Sequence, residues 1–308
     1  MKNNSQNLPM PSQSDQILAE SVPIELKKRL LALADKYEVA SFTNEDPSQF
    51  LRWYKPEQVP DTEAASFIAA MLAFGSRKQF IPKIRQILQT ADSSSGSITL
   101  WLKSGTYKKD FPTGPQKFYR FYSYDDFHVF FGELADILNK ALSLGEFLRE
   151  QFERQMKESH LTTKVPAPSK NVRTSKVPAP STNDRATKNN AAFPNDLIMN
   201  CFAQSFLNSA IVPKGKNSAN KRIHMFLRWM VRQNSPVDLG LWTWFNPADL
   251  LIPLDVHVMQ EAVKLGLLPE NSTASRKTAI LLTKKLAQIF PNDPSRADFA
   301  LFGLGINS

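Results

Sequence analysis

A chain of 308 residues with 42% hydrophobic and 22% charged residues can bury a full core, in one large domain or two smaller ones, and is not disordered throughout. Its single cysteine, Cys201, excludes an intramolecular disulfide and any four-cysteine iron–sulfur or zinc site, and fits a reducing, cytosolic setting. The net charge of +9, from 38 basic and 29 acidic residues, points to an anionic partner, and no apolar run is long enough to cross a membrane.

Residues 1–20 are rich in Ser, Asn, Gln and Pro, lack an apolar signal core, and read as a disordered tail. From Ile24 the pattern is helical, with Leu26, Leu30, Leu33 and Tyr37 on one face. Asp46–Trp53 reads as a short helix capped at its start. Asp61–Phe74 is apolar nearly all round, which predicts a central buried helix ended by Gly75. The next helix is placed from about Ile81 to Leu88, because Pro82 sits too deep for a start at Ser76. Helices follow over part of Ile98–Ser104, over Asp125–Ala141 and over Glu146–Met156. No segment alternates cleanly with period two and no Asn-Gly or Asp-Gly turn joins two candidate strands, so the chain reads as all-α.

Residues 159–193 interrupt this pattern. Thr163–Ser169 is nearly repeated at Ser175–Ser181, and six basic residues stand against one acid between Ser159 and Pro194. The stretch reads as a linker between two domains or as a low-complexity basic insertion within a single unit spanning 21–308, which slowly rising closure entropy permits; we take the insertion, because neither half alone completes a site. After it come helices over Ala192–Ser209 and Lys221–Gln233, from Asp255 to about Lys264, through Ser275–Phe290, and from Asp293 to the Phe302-Gly-Leu-Gly end. Between Met199 and Val237 lie Lys214, Lys216, Lys221, Arg222, Arg228 and Arg232 with no Asp or Glu. An acid-free basic stretch of this kind predicts a phosphate-facing surface.

Two residues carry the candidate chemistry. Lys221 begins a helix, where the positive end of the dipole disfavours an ammonium, and a neutral amine attacks an electrophilic carbon to give a Schiff base. It reads equally as one solvated charge on a basic face. Asp255, in Ile-Pro-Leu-Asp-Val-His-Val (252–258), is an ordinary N-cap by position. A carboxylate so held also stabilises a developing positive charge at a sugar carbon. Trp242 and Trp244 lie between the pair in sequence and either stack on an extruded base or fill the core. His224 reads as a surface or packing residue, and His128, His160 and His257 show no metal-ligand spacing. No phosphate-loop or dinucleotide motif is present, and neither a metal nor a cofactor is expected.

Leu254-Asp255-Val256-His257 resembles the Val-Asp-x-His signature of the helix-hairpin-helix DNA glycosylase superfamily, the group of endonuclease III and 8-oxoguanine DNA glycosylase. In that superfamily a lysine opens a helix upstream, as Lys221 does, and the block Asp61–Leu88 is similar to its early core helices. A longer resemblance, through Lys221–Arg232, Pro253–His257 and Asp298–Gly305, is to a bacterial family of uncharacterised proteins. The usual Leu-Pro-Gly-Val-Gly-x-Lys hairpin is replaced by Pro213–Lys221, and 34 positions separate Lys221 from Asp255. Both features look like the archaeal 8-oxoguanine glycosylase branch, which lacks the iron–sulfur cluster.

The resemblance implies a two-lobed all-α glycosylase-like fold in a monomer that acts on double-stranded DNA carrying a damaged base, 8-oxoguanine the first guess. It would be a cytoplasmic, nucleoid-associated enzyme. The nucleotide would be flipped, Lys221 would form the Schiff base and Asp255 would assist. Lys214, Lys216, Arg222, Arg228 and Arg232 would hold phosphates, and Trp242 or Trp244 would stack on the base. The alternative is a helical DNA-binding module that keeps the fold without the reaction.

Overall fold

The apolar periodicities resolve into helices in nearly every place the sequence puts them. The computed structural model describes residues 13–162 and 193–306. Within the tail expected to be disordered, Gln13–Ala19 forms a short helix, α1, held where Lys285 Nζ donates to the carbonyls of Ile17 and Glu20. Residues 1–12 and most of the 159–193 insertion, including both Lys-Val-Pro-Ala-Pro-Ser copies, lie outside the described residues.

Helix α2 (Ile24–Tyr37) is followed by two 3-10 turns, the second, Pro47–Arg52, capped by Asp46, whose side chain accepts from Ser48 N at 3.0 Å. Helix α3 (Val59–Leu72) is buried from Thr62 to its end, as its uniform apolarity requires. Helix α4 spans Arg77–Ser95 and carries Pro82 inside it, starting earlier than predicted. Pro82 and Lys78 both face solvent, so water can satisfy the carbonyl that Pro82 leaves without a donor, while buried Phe80, Ile84, Ile87 and Leu88 hold the helix down. Helices α5 (Ile98–Lys103) and α6 (Tyr107–Asp110) precede α7 (Tyr124–Lys140), which opens on a reciprocal cap between Ser123 and Asp126. Helix α8 (Leu144–Thr162) runs beyond Met156 into the start of the expected insertion.

The all-α expectation has one small exception. Strands β1 (Lys117–Tyr119) and β2 (Tyr122–Ser123) pair antiparallel around an Arg120-Phe121 turn. Strands this short leave too few residues for alternation to register, and the turn lacks the Asn-Gly or Asp-Gly signal. Otherwise the described chain is mostly helical.

Beyond the insertion come α9 (Pro194–Ser205), α10 (Lys221–Val231), α11 (Val256–Lys264), α12 (Arg276–Leu286) and α13 (Ala297–Ile306). Side chains of α8 and α9 meet directly, Gln155 donating to Gln204 Oε1 at 3.1 Å and accepting from Asn200 Nδ2 at 3.1 Å. The chain therefore returns to the helix it left. Among the described residues no helix is long and apolar enough to cross a membrane.

Two hydrophobic cores organise these elements. The larger collects α3, α4, α5, α7, α8, α9 and α10, from Phe50 to Leu250. The smaller is built from the two ends of the chain, with Leu30 and Ala34 of α2 packed among Leu254, Val258, Leu282, Ala297 and Leu301. Helices α2 and α13 approach closely because residue 303 is glycine: a Cβ there would fall 2.1 Å from Tyr37 Cδ2. Helix α13 continues through the Phe302-Gly-Leu-Gly segment instead of ending at it.

His224, on α10, is buried rather than at the surface, and its Nδ1 has no hydrogen-bond partner. Burial pushes its pKa from the ordinary 6.5 down to about 4. Because the folded value lies below the unfolded one, its neutral form stabilises the fold fully above about pH 6.5, and this stabilisation falls as pH drops toward 4. Between pH 7 and pH 4.5 the wild type is expected to lose about 2 to 3 kcal/mol more than His224→Gln in urea unfolding. Parallel pH profiles for the two proteins would show that His224 is not the group responsible.

Candidate functional site

The chain passes between the two cores at the residues singled out for chemistry. Ala219 belongs to the smaller core and Ile223 to the larger, so Lys221, the first residue of α10, lies on the seam. Asn220 before it adopts a left-handed backbone (φ 44°), a conformation asparagine tolerates better than most residues, and its amide donates to Gly215 O at 2.9 Å. The loop itself is fastened to the start of α12, where Arg276 N donates to Asn217 O at 2.9 Å. The crossing repeats near residue 251, with Leu250 in the larger core and Ile252 in the smaller. Leu254 and Val258 then anchor the start of α11 around Asp255.

Across this seam Lys221 Nζ lies 2.6 Å from Asp255 Oδ2. The other carboxylate oxygen, Oδ1, accepts from Val258 N at 2.9 Å, so Asp255 caps α11 and contacts the lysine with the same side chain. Burial raises the Asp255 pKa, but the Lys221 charge and hydrogen bond and the Val258 N–H outweigh it and hold the carboxyl below its ordinary value. Both groups remain open to solvent, with 38% of the lysine and 28% of the aspartate side chain exposed. A cation and a carboxylate thus meet at the mouth of the seam, each fixed by a helix start. His257 is exposed at the second position of α11.

Behind the pair lies an ionic network that the sequence did not announce. Arg228 of α10 pairs with Asp298 of α13 and, at 3.4 Å, with Asp238. Arg232 reaches Asp293 and Glu38, each at 2.7 Å, and Asp238. Burial lowers the Arg232 pKa, but Asp238, Asp293 and Glu38 overcome it and raise it above the ordinary arginine value. Phe299 roofs the cluster, with the Arg228 guanidinium 4.5 Å from its ring. Asp298 feels Lys221 and Asp255 as well as Arg228; burial drives its carboxyl up against the pull of the two cations. The network therefore joins α10 of the larger core to α2 and α13 of the smaller and extends toward the Lys221–Asp255 pair.

This corrects the expected phosphate surface. Arg228 and Arg232 are 2% and 3% exposed and paired with carboxylates, so neither faces solvent. The acid-free window from 199 to 237 misled because the partner acids come from elsewhere in the chain, at positions 38, 238, 293 and 298. Lys214 is also occupied: its ammonium donates to Phe206 O at 2.6 Å and to the carbonyls of Leu207 and Ser209, closing the end of α9. Arg222 donates to Met71 O at the end of α3 and to Tyr122 Oη at 3.2 Å, with its guanidinium 4.7 Å from the Phe74 ring. Lys216 is exposed.

The tryptophans resolve toward packing. Trp242 is 1% exposed, and its indole donates to the buried Glu63 carboxylate at 2.8 Å. Trp244 is half-buried, stacked on Trp242 at 5.4 Å and flanked by Phe152 at 5.7 Å. Trp242 is therefore enclosed and has no face for a base, and one face of Trp244 is taken up by Trp242. Burial pushes the Cys201 thiol up to about 12, which makes it a packing residue rather than a nucleophile. Among the described residues no group of three or more His, Cys, Asp or Glu side chains is placed to hold a metal ion.

No curated protein and no solved structure matches the chain. One family model does match, over residues 46–307, which takes in Lys221, Asp255, Asp298 and nearly all of both cores. The chain belongs to that family, described as Protein of unknown function (DUF2400).

Proposed function

We propose that this protein is a DNA N-glycosylase and abasic-site lyase that works through a Schiff base on Lys221, on a fold of the helix-hairpin-helix glycosylase type. The observation that carries the reading is the 2.6 Å contact between Lys221 Nζ and Asp255 Oδ2, two helix-start residues that meet across the seam between two cores. The assembly of the smaller core from both chain ends supports the two-lobed reading. The direct packing of α8 on α9 supports one unit, 21–308, with the 159–193 stretch as an insertion.

The chemistry follows from the pair. A flipped nucleotide brings its C1′ to the amine. Lys221 must shed a proton to attack, and Asp255 Oδ2 is in place to receive it. The nitrogen lone pair forms the bond to C1′ while the electrons of the glycosidic bond leave with the base. The departing base takes up the proton that Asp255 received, and the carboxylate so restored offsets the positive charge that gathers at the sugar. The ring opens as the nitrogen forms the iminium and O4′ leaves with a proton. Loss of a proton from C2′ then expels the 3′ phosphate and nicks the strand.

A second reading draws on the same contact. The ion pair serves only as a latch between the cores, and the protein binds DNA without reacting. Incubation with duplexes carrying single lesions, 8-oxoguanine first, separates the two. Base release coupled to a strand nick supports the enzyme. Tight binding across the panel with neither product leaves the latch.

A further inference from the structure

The β1–β2 hairpin lies outside both cores' crossing points and has a turn built for contact. Arg120 is held in the left-handed region (φ 51°), and Phe121 beside it is 59% exposed. Non-glycine residues keep such a backbone only where the surroundings fix it. Here Tyr119 donates to Phe74 O, and the Arg120 guanidinium lies 5.7 Å from the Phe74 ring. The tip of the Arg120 side chain lies over the turn after α3, with Nη1 2.5 Å from where a Cβ on Gly75 would stand. A large aromatic ring is thus displayed to solvent on a braced support.

Beside the tip opens a cleft of about 680 Å³, lined by Gln79, Lys83, Phe118, Tyr119, Arg120 and Phe121. Among the described residues none of Lys83, Arg120 and Arg222 takes part in an ion pair. The three are instead set against aromatic rings: Lys83 Nζ is 4.4 Å from the Phe118 ring, and Arg222 is 4.7 Å from that of Phe74. Arg222 also ties the hairpin to the site, because its guanidinium meets Tyr122 of β2 while its neighbour in the chain is Lys221. Uncompensated cations around an open aromatic face match a nucleic-acid strand, whose bases stack and whose phosphates pair with cations.

We infer that the hairpin tip is a strand-binding site, in which Phe121 stacks on a nucleobase and Arg120 and Lys83 hold the flanking phosphates. This rests on the nucleic-acid reading of the Lys221 site and adds to it a nucleotide that does not react. The probe is a fluorescein-labelled duplex with one tetrahydrofuran abasic analogue, which has no glycosidic bond to break. Anisotropy titrations compare the wild type, Phe121→Ala and the double variant Lys83→Glu/Arg120→Glu across a salt series. Phe121 and Arg120 are exposed and Lys83 is partly so, and thermal midpoints close to wild type confirm that the variants fold.

Phe121→Ala is expected to weaken binding roughly tenfold. The double variant is expected to lower the slope of log affinity against log salt by about 1 to 2. Wild-type affinity and salt slope in both variants would overturn the site, as would a wild type that does not bind the duplex. Weakened binding in a protein that forms no Schiff base keeps the hairpin site and removes the glycosylase. Schiff-base formation with unchanged binding in both variants does the reverse.

Discussion

Replacing Lys221 by glutamine is expected to lower base release and strand nicking by about 10³-fold or more, a loss of about 4 kcal/mol of transition-state stabilisation, while leaving DNA affinity nearly unchanged. Glutamine is close in length and hydrogen-bonds Asp255, but its amide nitrogen has no lone pair available for attack. The fold should tolerate the change. The pair is partly exposed, and such ion pairs contribute about 1 kcal/mol or less, so the unfolding midpoint should move little. Asp255→Asn is expected to be milder, about 10²-fold, because the shape and part of the cap survive while the charge that balances the sugar is lost. A Lys221→Gln protein with wild-type turnover would assign the reaction to another group. One with lost turnover and a large drop in stability would make the lysine a structural post. Single-turnover rates beside urea titrations separate these cases.

The second large effect concerns stability. Arg232→Ala is expected to cost about 3 to 5 kcal/mol, because it leaves the fully buried Asp238 only its 3.4 Å contact with Arg228 and deprives Glu38 and Asp293 of their shared partner. The loss should be cooperative across the seam, since the arginine caps the end of α10 while Glu38 and Asp293 come from segments packed with the smaller core. Asp238→Ala should be damaging alone, and the double variant should cost less than the sum of the two single ones. A loss below about 1 kcal/mol in urea unfolding would place the network with solvent-screened surface pairs instead.

The legible part of this molecule is local. Helix starts at Lys221 and Asp255 follow from a loop ending in Asn220 and from a Pro-Leu-Asp segment before an apolar face, and the buried α3 follows from its uniform apolarity. Long-range partnerships were not legible. Arg228 and Arg232 look like phosphate ligands in a window without acids, yet their carboxylates come from positions 38, 293 and 298 as well as the nearby 238. Trp242 looks like a stacking residue until Glu63, 179 positions earlier, accepts from its indole. The hairpin escaped because its strands are shorter than any periodicity that marks a strand. Asp298 entered the sequence reading only through the Asp298–Gly305 resemblance; its place beside the Lys221–Asp255 pair depends on how α11 and α13 pack.

Burial also changed the meaning of residue types. A basic amphipathic helix normally keeps its charges in water. Helix α10 instead is buried from Ile223 to Val231, so its arginines must find carboxylates within the protein. Of the cations expected to hold phosphates Lys216, on the loop before α10, stays exposed, and Lys83 and Arg120 at the hairpin add to it.

The most direct measurement is reductive trapping. The protein is incubated with lesion-bearing and abasic duplexes in the presence of borohydride, which reduces an iminium to a stable amine, and the adduct is digested and mapped by mass spectrometry. A covalent adduct on Lys221, absent from Lys221→Gln, is the predicted result. Duplex binding without any adduct across the panel, or an adduct on a different residue, would contradict the assignment of Lys221 as the nucleophile.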